Sequence, residues 1–411
     1  MRITFEDIFP KIIILYWLTC GLTRIDLWSE GGPFRLTLGF LFATVIVIFQ
    51  FAISLSNKSV IIDARLNECF RIETLFLTFV FVSALFSQDF QLSLTRFVLL
   101  FVYVNAGFFS INQMAKDNSC IYYLYMAAAF ESIMYNIGSL IDYAYFLVTH
   151  NHQLNGGNLP FYNSGITSLG AYMIRTRGMS QDSNIGAIFL VVFTLLILWY
   201  GQKKWRFLLI AFNLLNIMLT QSRTALLCLL AAVLVMALKN IIKSPGKVLG
   251  GIAFVILLVF IATKIDSLRD VLYSIINRFG GDQSGSNHLS LIQVGFDIVF
   301  SNPKIFLIGN GYGASTYLLS DFFTNKYANF HNAYISFWVE CGIFTLSCFV
   351  LLLLWGLRKS QKARIILIVL IVGNLGYQLY TEAFFWCLIA FVYTLDELEG
   401  VDEEPVFNIE E

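Results

Sequence analysis

The stretch Tyr327–Leu357, YANFHNAYISFWVECGIFTLSCFVLLLLWGL, decides how the chain is read. From Ala333 onward it is apolar over more than the roughly 20 residues that cross a hydrocarbon layer of about 30 Å. His331 and Asn332 stand at its mouth, and one carboxylate, Glu340, lies within it. A carboxylate at membrane depth needs a partner or a polar cavity. The run reads as a membrane helix with polar business at its outer end.

The rest of the chain agrees. Of 411 residues, 57% are hydrophobic and only 13% charged, with a mean hydropathy of +0.71. A soluble domain keeps about a quarter of its residues charged. Net charge is zero, which gives no reason to expect nucleic acid or another polyanion as a partner. Forty phenylalanines and nineteen tyrosines suit lipid-facing helices with interfacial aromatics. The seven cysteines have no metal or disulfide spacing and read as small buried hydrophobes.

A ruler of about 20 apolar residues predicts an all-α polytopic membrane protein of about twelve spans. They centre on residues 10–23, 36–55, 72–87, 93–113, 120–141, 184–201, 207–220, 225–238, 248–265, 333–357, 365–380 and 383–395. The first apolar run lacks a small-residue cleavage site and reads as an uncleaved helix. Residues 1–395 form a single membrane domain, and 396–411 an acidic, disordered cytoplasmic tail.

Basic residues orient the bundle. With both termini inside, Lys58, Arg65, Arg71, Lys203, Lys204, Arg206, Lys239, Lys243, Lys247, Arg358, Lys359, Lys362 and Arg364 all face the cytoplasm. The outer face then carries loops at about 144–183 and 266–332, the larger between the ninth and tenth spans, and the short turn TQSRT at 220–224.

Several cations share that outer face. Arg223 sits between two apolar helices, where an arginine costs several kcal/mol unless it snorkels; its planar fork suits phosphate oxygens. Arg175 and Arg177 approach the sixth span, with Gly178 permitting a turn and Asp182 or Ser183 capping the helix. In GGDQSGSN no Gly-Lys-Ser/Thr follows, so this is no nucleotide phosphate loop. Leu289–Phe300 reads as an amphipathic helix on the membrane, with His288 at its start, and IGNGYG as a turn. A plainer reading exists for each: snorkelling arginines, solvated helix entries and an interfacial histidine.

Taken in order, RTRGMSQDSNIG, LTQSRTALL, HLSLIQVGFDIVFSNPKIFLIGNGYG and FHNAYISFWVECGIF resemble the motifs of the O-antigen/capsule polymerase and O-antigen ligase superfamily. The likeness covers residues 165–345 by motif and the whole chain by topology. It implies a GT-C-like, metal-independent glycosyltransferase of the bacterial inner membrane, with no cofactor. Donor and acceptor would be oligosaccharides on undecaprenyl diphosphate at the periplasmic face, in contact with membrane lipid. A flippase and a chain-length regulator are the expected protein partners.

By that likeness Arg223 contacts the diphosphate and His331 stands near the acceptor hydroxyl. Arg175, Arg177 and Asn332 join the substrate-binding set. Ser183 replaces the usual proline, and His288 stands where the superfamily usually has arginine. Either His288 or Arg278 would fill that role. The large loop balances Lys264, Arg269, Arg278, Lys304 and Lys326 against Asp266, Asp270, Asp282, Asp297 and Asp321. Such balance favours a polymerase, whose acceptor is a lipid-linked repeat, over a ligase, which must dock the polyanionic lipid A-core. A flippase is disfavoured because the charges gather at one face instead of the bilayer midplane, Glu131 and Glu382 being the exceptions.

This topology is testable with impermeant thiol reagents. Cysteines introduced at Gln283 and Asn155 should be labelled from outside and one at Lys359 should not. Labelling at Lys359 would invert the arrangement.

Overall fold

A computed structural model describes residues 5–28, 36–57, 61–115, 119–149, 157–159, 162–164, 167–168, 174–243, 264, 283–319 and 329–400. Its helices are α1 (Phe5–Thr19), α2 (Leu38–Asn57), α3 (Asn67–Leu85), α4 (Phe90–Met114), α5 (Cys120–Thr149), α6 (Ser183–Tyr200), α7 (Lys203–Thr220), α8 (Arg223–Lys243), α9 (Gln283–Ser301), α10 (Pro303–Ile308), α11 (Ser315–Leu318), α12 (Ala333–Gly356), α13 (Gln361–Gly376) and α14 (Ala383–Gly400). Three two-stranded antiparallel pairs lie in the connections: β1 (Asp26–Trp28) with β2 (Leu36–Thr37), β3 (Gly157–Leu159) with β4 (Tyr162–Ser164), and β5 (Thr167–Ser168) with β6 (Ile174–Arg175).

Among the described residues four helices are long and apolar enough to cross a membrane: Leu38–Ser56, Phe90–Met114, Ser183–Tyr200 and Ala333–Gly356. Shorter apolar helices accompany them, as in a polytopic membrane protein. Apart from residue 264, the expected span at 248–265 lies outside the described residues, as does Arg278.

Three boundaries differ from expectation. Residues 396–400, assigned to the acidic tail, continue α14, because Leu398 is buried and Leu and Glu are strong helix formers. The loop expected from 144 begins later, since α5 runs to Thr149. The amphipathic helix starts at Gln283 instead of Leu289, which puts His288 in its second turn.

Aromatic packing joins α3, α12 and α14. Phe76 lies 5.3 Å from Phe337 and 5.5 Å from Trp386, centroid to centroid, and Phe337 lies 4.1 Å from Tyr380. A polar seam joins α5, α6 and α7. Asn213 donates to Ser132 (3.1 Å) and Thr194 (3.2 Å), and Asn136 donates to Asn213 (3.0 Å). Small polar side chains that satisfy one another across helices are a common adhesive in lipid, where apolar surfaces have no water to escape. All seven cysteines are free and buried, as their spacing suggested.

The apolar run Ala333–Gly356 is a broken helix. Gly342 has φ 79° and ψ 176°, a region open essentially to glycine alone. The break frees carbonyls in a place without water, and the IGNGYG turn takes them up. Asn310 N–H donates to Val339 O (3.1 Å), and Gly311 N–H and Ser83 Oγ donate to Glu340 O (2.9 and 2.6 Å). The Glu340 carboxylate accepts the amides of Gly313 (3.0 Å) and Ser315 (3.2 Å), and the Ser315 hydroxyl. Its predicted partners are therefore backbone amides at the start of α11. A Cβ on Gly342 would stand 2.2 Å from Leu307 O.

Gly342→Ala should accordingly lose about 1–3 kcal/mol to backbone strain alone, with the steric clash in addition. Thermal unfolding in detergent should show a clearly lowered midpoint; an unchanged midpoint would mean that the break is not required.

Candidate functional site

One end of the bundle, where the mouths of α8 and α12 lie, is built around the C-terminus of α13. The side chain of Asn332, which caps α12 by accepting the Ile335 amide (3.0 Å), also donates to Leu375 O (3.0 Å). Thr224, one residue into α8, packs so closely on Gly376 that a Cβ there would meet its hydroxyl at 2.5 Å. Tyr377 follows. The mouths of α8 and α12 thus meet at one point, although they are more than a hundred residues apart in sequence.

Around that point stand three rings. His288 lies 5.0 Å from His331, His331 5.9 Å from Tyr377, and His288 6.3 Å from Tyr377, between centroids. The charge of Arg223 acts on both His288 and Tyr377, and Arg175 hydrogen-bonds Tyr377. Arg175 also donates to Thr220 O (2.6 Å) and to Asn184. His331, His288, Arg223 and Arg175 are therefore brought together. Asn332 adjoins them, but both ends of its amide are engaged by protein.

Arg177 is held in a second layer. A buried ion pair joins Arg24 to Asp142 (2.8 and 2.9 Å), and Asp142 also accepts the Arg177 amide (3.2 Å). Arg24 N–H donates to Met179 O (3.0 Å), and Gln181 bonds Thr23. These contacts pin the turn 176–182, so that Asp182 caps α6 through the amides of Asn184 (2.7 Å) and Ile185 (3.3 Å). Between Asp182 and Ser183, it is the aspartate that caps. Burial, then the like charge of Arg24, pushes Arg177 below its ordinary value, against the pull of Asp182 and Asp142.

Burial pushes His331 below its ordinary 6.5 against a weaker opposing pull from Asp182. His288 goes further, to about 4, through burial, then His331, then Arg223. Both imidazoles are neutral at pH 7. His288 therefore offers hydrogen bonds and no standing charge, which leaves the arginines as the cations of this cluster. Tyr377 is raised to about 12, chiefly by burial, and stays a phenol. Glu382, expected to stand apart from these charges, instead lies at the same end of the bundle, where burial and then Asp182 raise it to about 7.

Two residues with side chains occupy the left-handed region among the described residues, Gln221 (φ 52°) and His331 (φ 49°). Such a conformation costs about 1–2 kcal/mol per residue. The His331 amide is fixed by Asn329 Oδ1 (2.8 Å), and Gln221 caps α7 two residues before Arg223. The motifs did not point to Tyr377, Arg24 or Asp142. Arg24 carried one signal, an arginine directly after an apolar helix. Among the described residues no group of three or more His, Cys, Asp or Glu side chains is placed to hold a metal ion.

If His331 accepts a proton during turnover, activity should rise with pH only below about 6.5 and stay level through neutrality, since the neutral imidazole is the working form. A pH profile of transfer in membranes tests this. A midpoint near 8, or activity that climbs as pH falls, would contradict it.

No curated protein matches this chain. The family model described as O-antigen ligase matches residues 207–350, the segment that contributes Arg223, His288, His331, Asn332 and the IGNGYG turn. Over that segment the chain is a match to the O-antigen ligase family, which bears out its resemblance to the polymerase and ligase superfamily.

Proposed function

We propose that the protein polymerises oligosaccharide repeats carried on undecaprenyl diphosphate at the periplasmic face of the bacterial inner membrane. It would do so as a GT-C-like bundle of about twelve spans, each set by the roughly 20-residue rule, with both termini in the cytoplasm. The observation that carries this reading is the meeting of Arg175, Arg223 and two neutral histidines at the outer mouths of α8 and α12.

The chemistry follows from those groups. The acceptor hydroxyl oxygen attacks the anomeric carbon of the donor, and its proton passes to His331. The anomeric carbon–oxygen bond breaks, and its electron pair leaves with the diphosphate. Negative charge grows on that leaving group, where guanidinium groups already in position stabilise it without reorganising. Their planar forks bind two phosphate oxygens at once. The sugar–phosphate bond supplies the driving force, so no nucleotide is required outside the cell. His288 and Tyr377 would orient substrate beside this pair, while Asn332 holds the mouth of α12 against the end of α13.

A second reading has one observation in its favour: the matching family model is described as O-antigen ligase. A ligase would transfer finished polymer to lipid A-core by the same steps. The balance of Lys304 against Asp297, and of the other loop charges, offers little to hold a polyanionic acceptor and favours the polymerase.

Deletion of the gene in its host separates the two. A polymerase deletion should leave single repeats on the final acceptor and no long chains. Wild-type protein should restore them, Arg223→Ala should not, and Arg223→Lys should do so poorly, because an ammonium lacks the planar fork. His331→Ala should lose about 10²–10⁴-fold in rate. Full-length polymer stranded on undecaprenyl diphosphate, with bare lipid A-core, would establish the ligase instead.

A further inference from the structure

A polar chamber lies at the same end of the bundle as the cluster. Its volume is about 300 Å³, and Thr23, Arg96, Tyr103, Gln181, Tyr380 and Glu382 are among its lining residues. That is the lower end of the range for small-molecule sites, ~300–1,000 Å³. Two short stretches of chain link it to residues of the cluster. Gln181 precedes Asp182, whose charge acts on both His331 and Glu382. On the other side, a single 3₁₀ turn, Leu379–Thr381, separates Tyr377 from Glu382.

Packing explains only part of the lining. Arg96 belongs to the first two turns of α4, and its Cδ lies against Gly313. Its Nε, packed against Gly313, is buried without a hydrogen-bond partner among the described residues, and its charge acts on the buried Glu340. A buried donor left unpaired is costly, more so on a charged group. No ion pair joins Arg96 to Glu382 among the described residues, although both line the chamber. The walls offer the Arg96 guanidinium, the Glu382 carboxyl group and the rings of Tyr312 and Tyr380 with centroids 6.3 Å apart; the hydroxyls of Thr23, Thr37 and Thr381 also line it, already bonded to Gln181, Phe40 and Gln378.

That combination fits a sugar ring. Vicinal hydroxyls present two acceptors to a guanidinium fork and two donors to a carboxyl group, while the C–H face of a pyranose packs on aromatic rings. A free anion suits it less, because Glu382 opposes the charge that Arg96 would welcome. A lipid tail would leave the polar walls unsatisfied. We propose that this chamber is a subsite for one neutral pyranose unit of the carbohydrate substrate, gripped by Arg96 and Glu382. The inference rests on the reading of the protein as one that acts on lipid-linked sugars, and it assigns a recognition role to residues outside the motifs.

Saturation-transfer NMR on the protein in lipid nanodiscs tests it, with the methyl glycosides of glucose, galactose, mannose and N-acetylglucosamine as probes and glucuronate as the anionic comparison. At least one neutral glycoside should bind. Arg96→Gln and Glu382→Gln should each weaken it about tenfold or more, as loss of a hydrogen bond to a charged group does, while Arg223→Ala should leave it unchanged. Arg96→Lys, which keeps the charge but not the fork, should also weaken binding, and it carries the test if thermal unfolding shows Arg96→Gln to be misfolded. Absence of binding by every neutral glycoside, indifference to both Arg96 variants, or binding of glucuronate alone would each overturn the proposal. Phosphorus NMR of inorganic diphosphate reads the other site in the same samples. Loss of diphosphate binding with sugar binding intact would strike the functional reading and spare the subsite; the converse would strike the subsite alone.

Discussion

A carbonyl freed inside a membrane has no water to turn to, and this fold is arranged around one such place. The break at Gly342 leaves Val339 O and Glu340 O without helical partners, and puts the Glu340 carboxylate beside them. The 309–315 turn satisfies these groups, and it can do so only because Gly309, Gly311 and Gly313 all take positive φ. Irregular backbone at such depth is tolerated where protein buries it. Once that turn is seated, α10 lies against α12, and α9 is held over the mouth of α12 with Gly295 against Ile335. The place of His288 thus depends on a carboxylate more than a helical turn away from any histidine.

The second dependence is on strain. His331 and Gln221 are held in the left-handed region at the two mouths that meet on α13. Neither residue type prefers that conformation, and each cap around it adds a constraint: Asn329 on the His331 amide, Asn332 on Leu375, Thr224 on Gly376. Strained residues persist where their surroundings over-determine them, and they gather at working sites. Here they aim an imidazole and a guanidinium into one space from helices that enter it separately.

Much of the bundle could be read from the sequence, because lipid imposes a length on every span and hydropathy measures that length directly. The mouths of α6, α8 and α12 were legible for the same reason, and with them Arg175, Arg223 and His331. What stayed hidden depends on contacts between distant residues. Asp142 looks like an unremarkable residue near the end of α5 until Arg24, 118 positions earlier, is placed against it. Tyr377 reads as one aromatic among many until α13 ends beside two histidines. Gly342 sits in an unbroken apolar run, and hydropathy does not register a dihedral angle. The end of α14 was missed for the opposite reason: Asp396, Glu397 and Glu399 looked like tail, while Leu398 was keeping the helix docked.

The electrostatics of the cluster divide the labour that such a transfer needs. A diphosphate leaving group requires permanent positive charge, and an incoming hydroxyl requires a base that is free of its proton. One kind of residue cannot supply both at pH 7. Arginine holds its charge even when partly buried, whereas the same burial strips histidine of its proton. Burial drives His331 and His288 toward the neutral form beside guanidiniums that remain charged, so a single environment prepares both roles. His288, at the position where the superfamily that the chain resembles usually has arginine, adds hydrogen-bonding capacity to the cluster without a standing charge, so the permanent charge there comes from Arg175 and Arg223 alone.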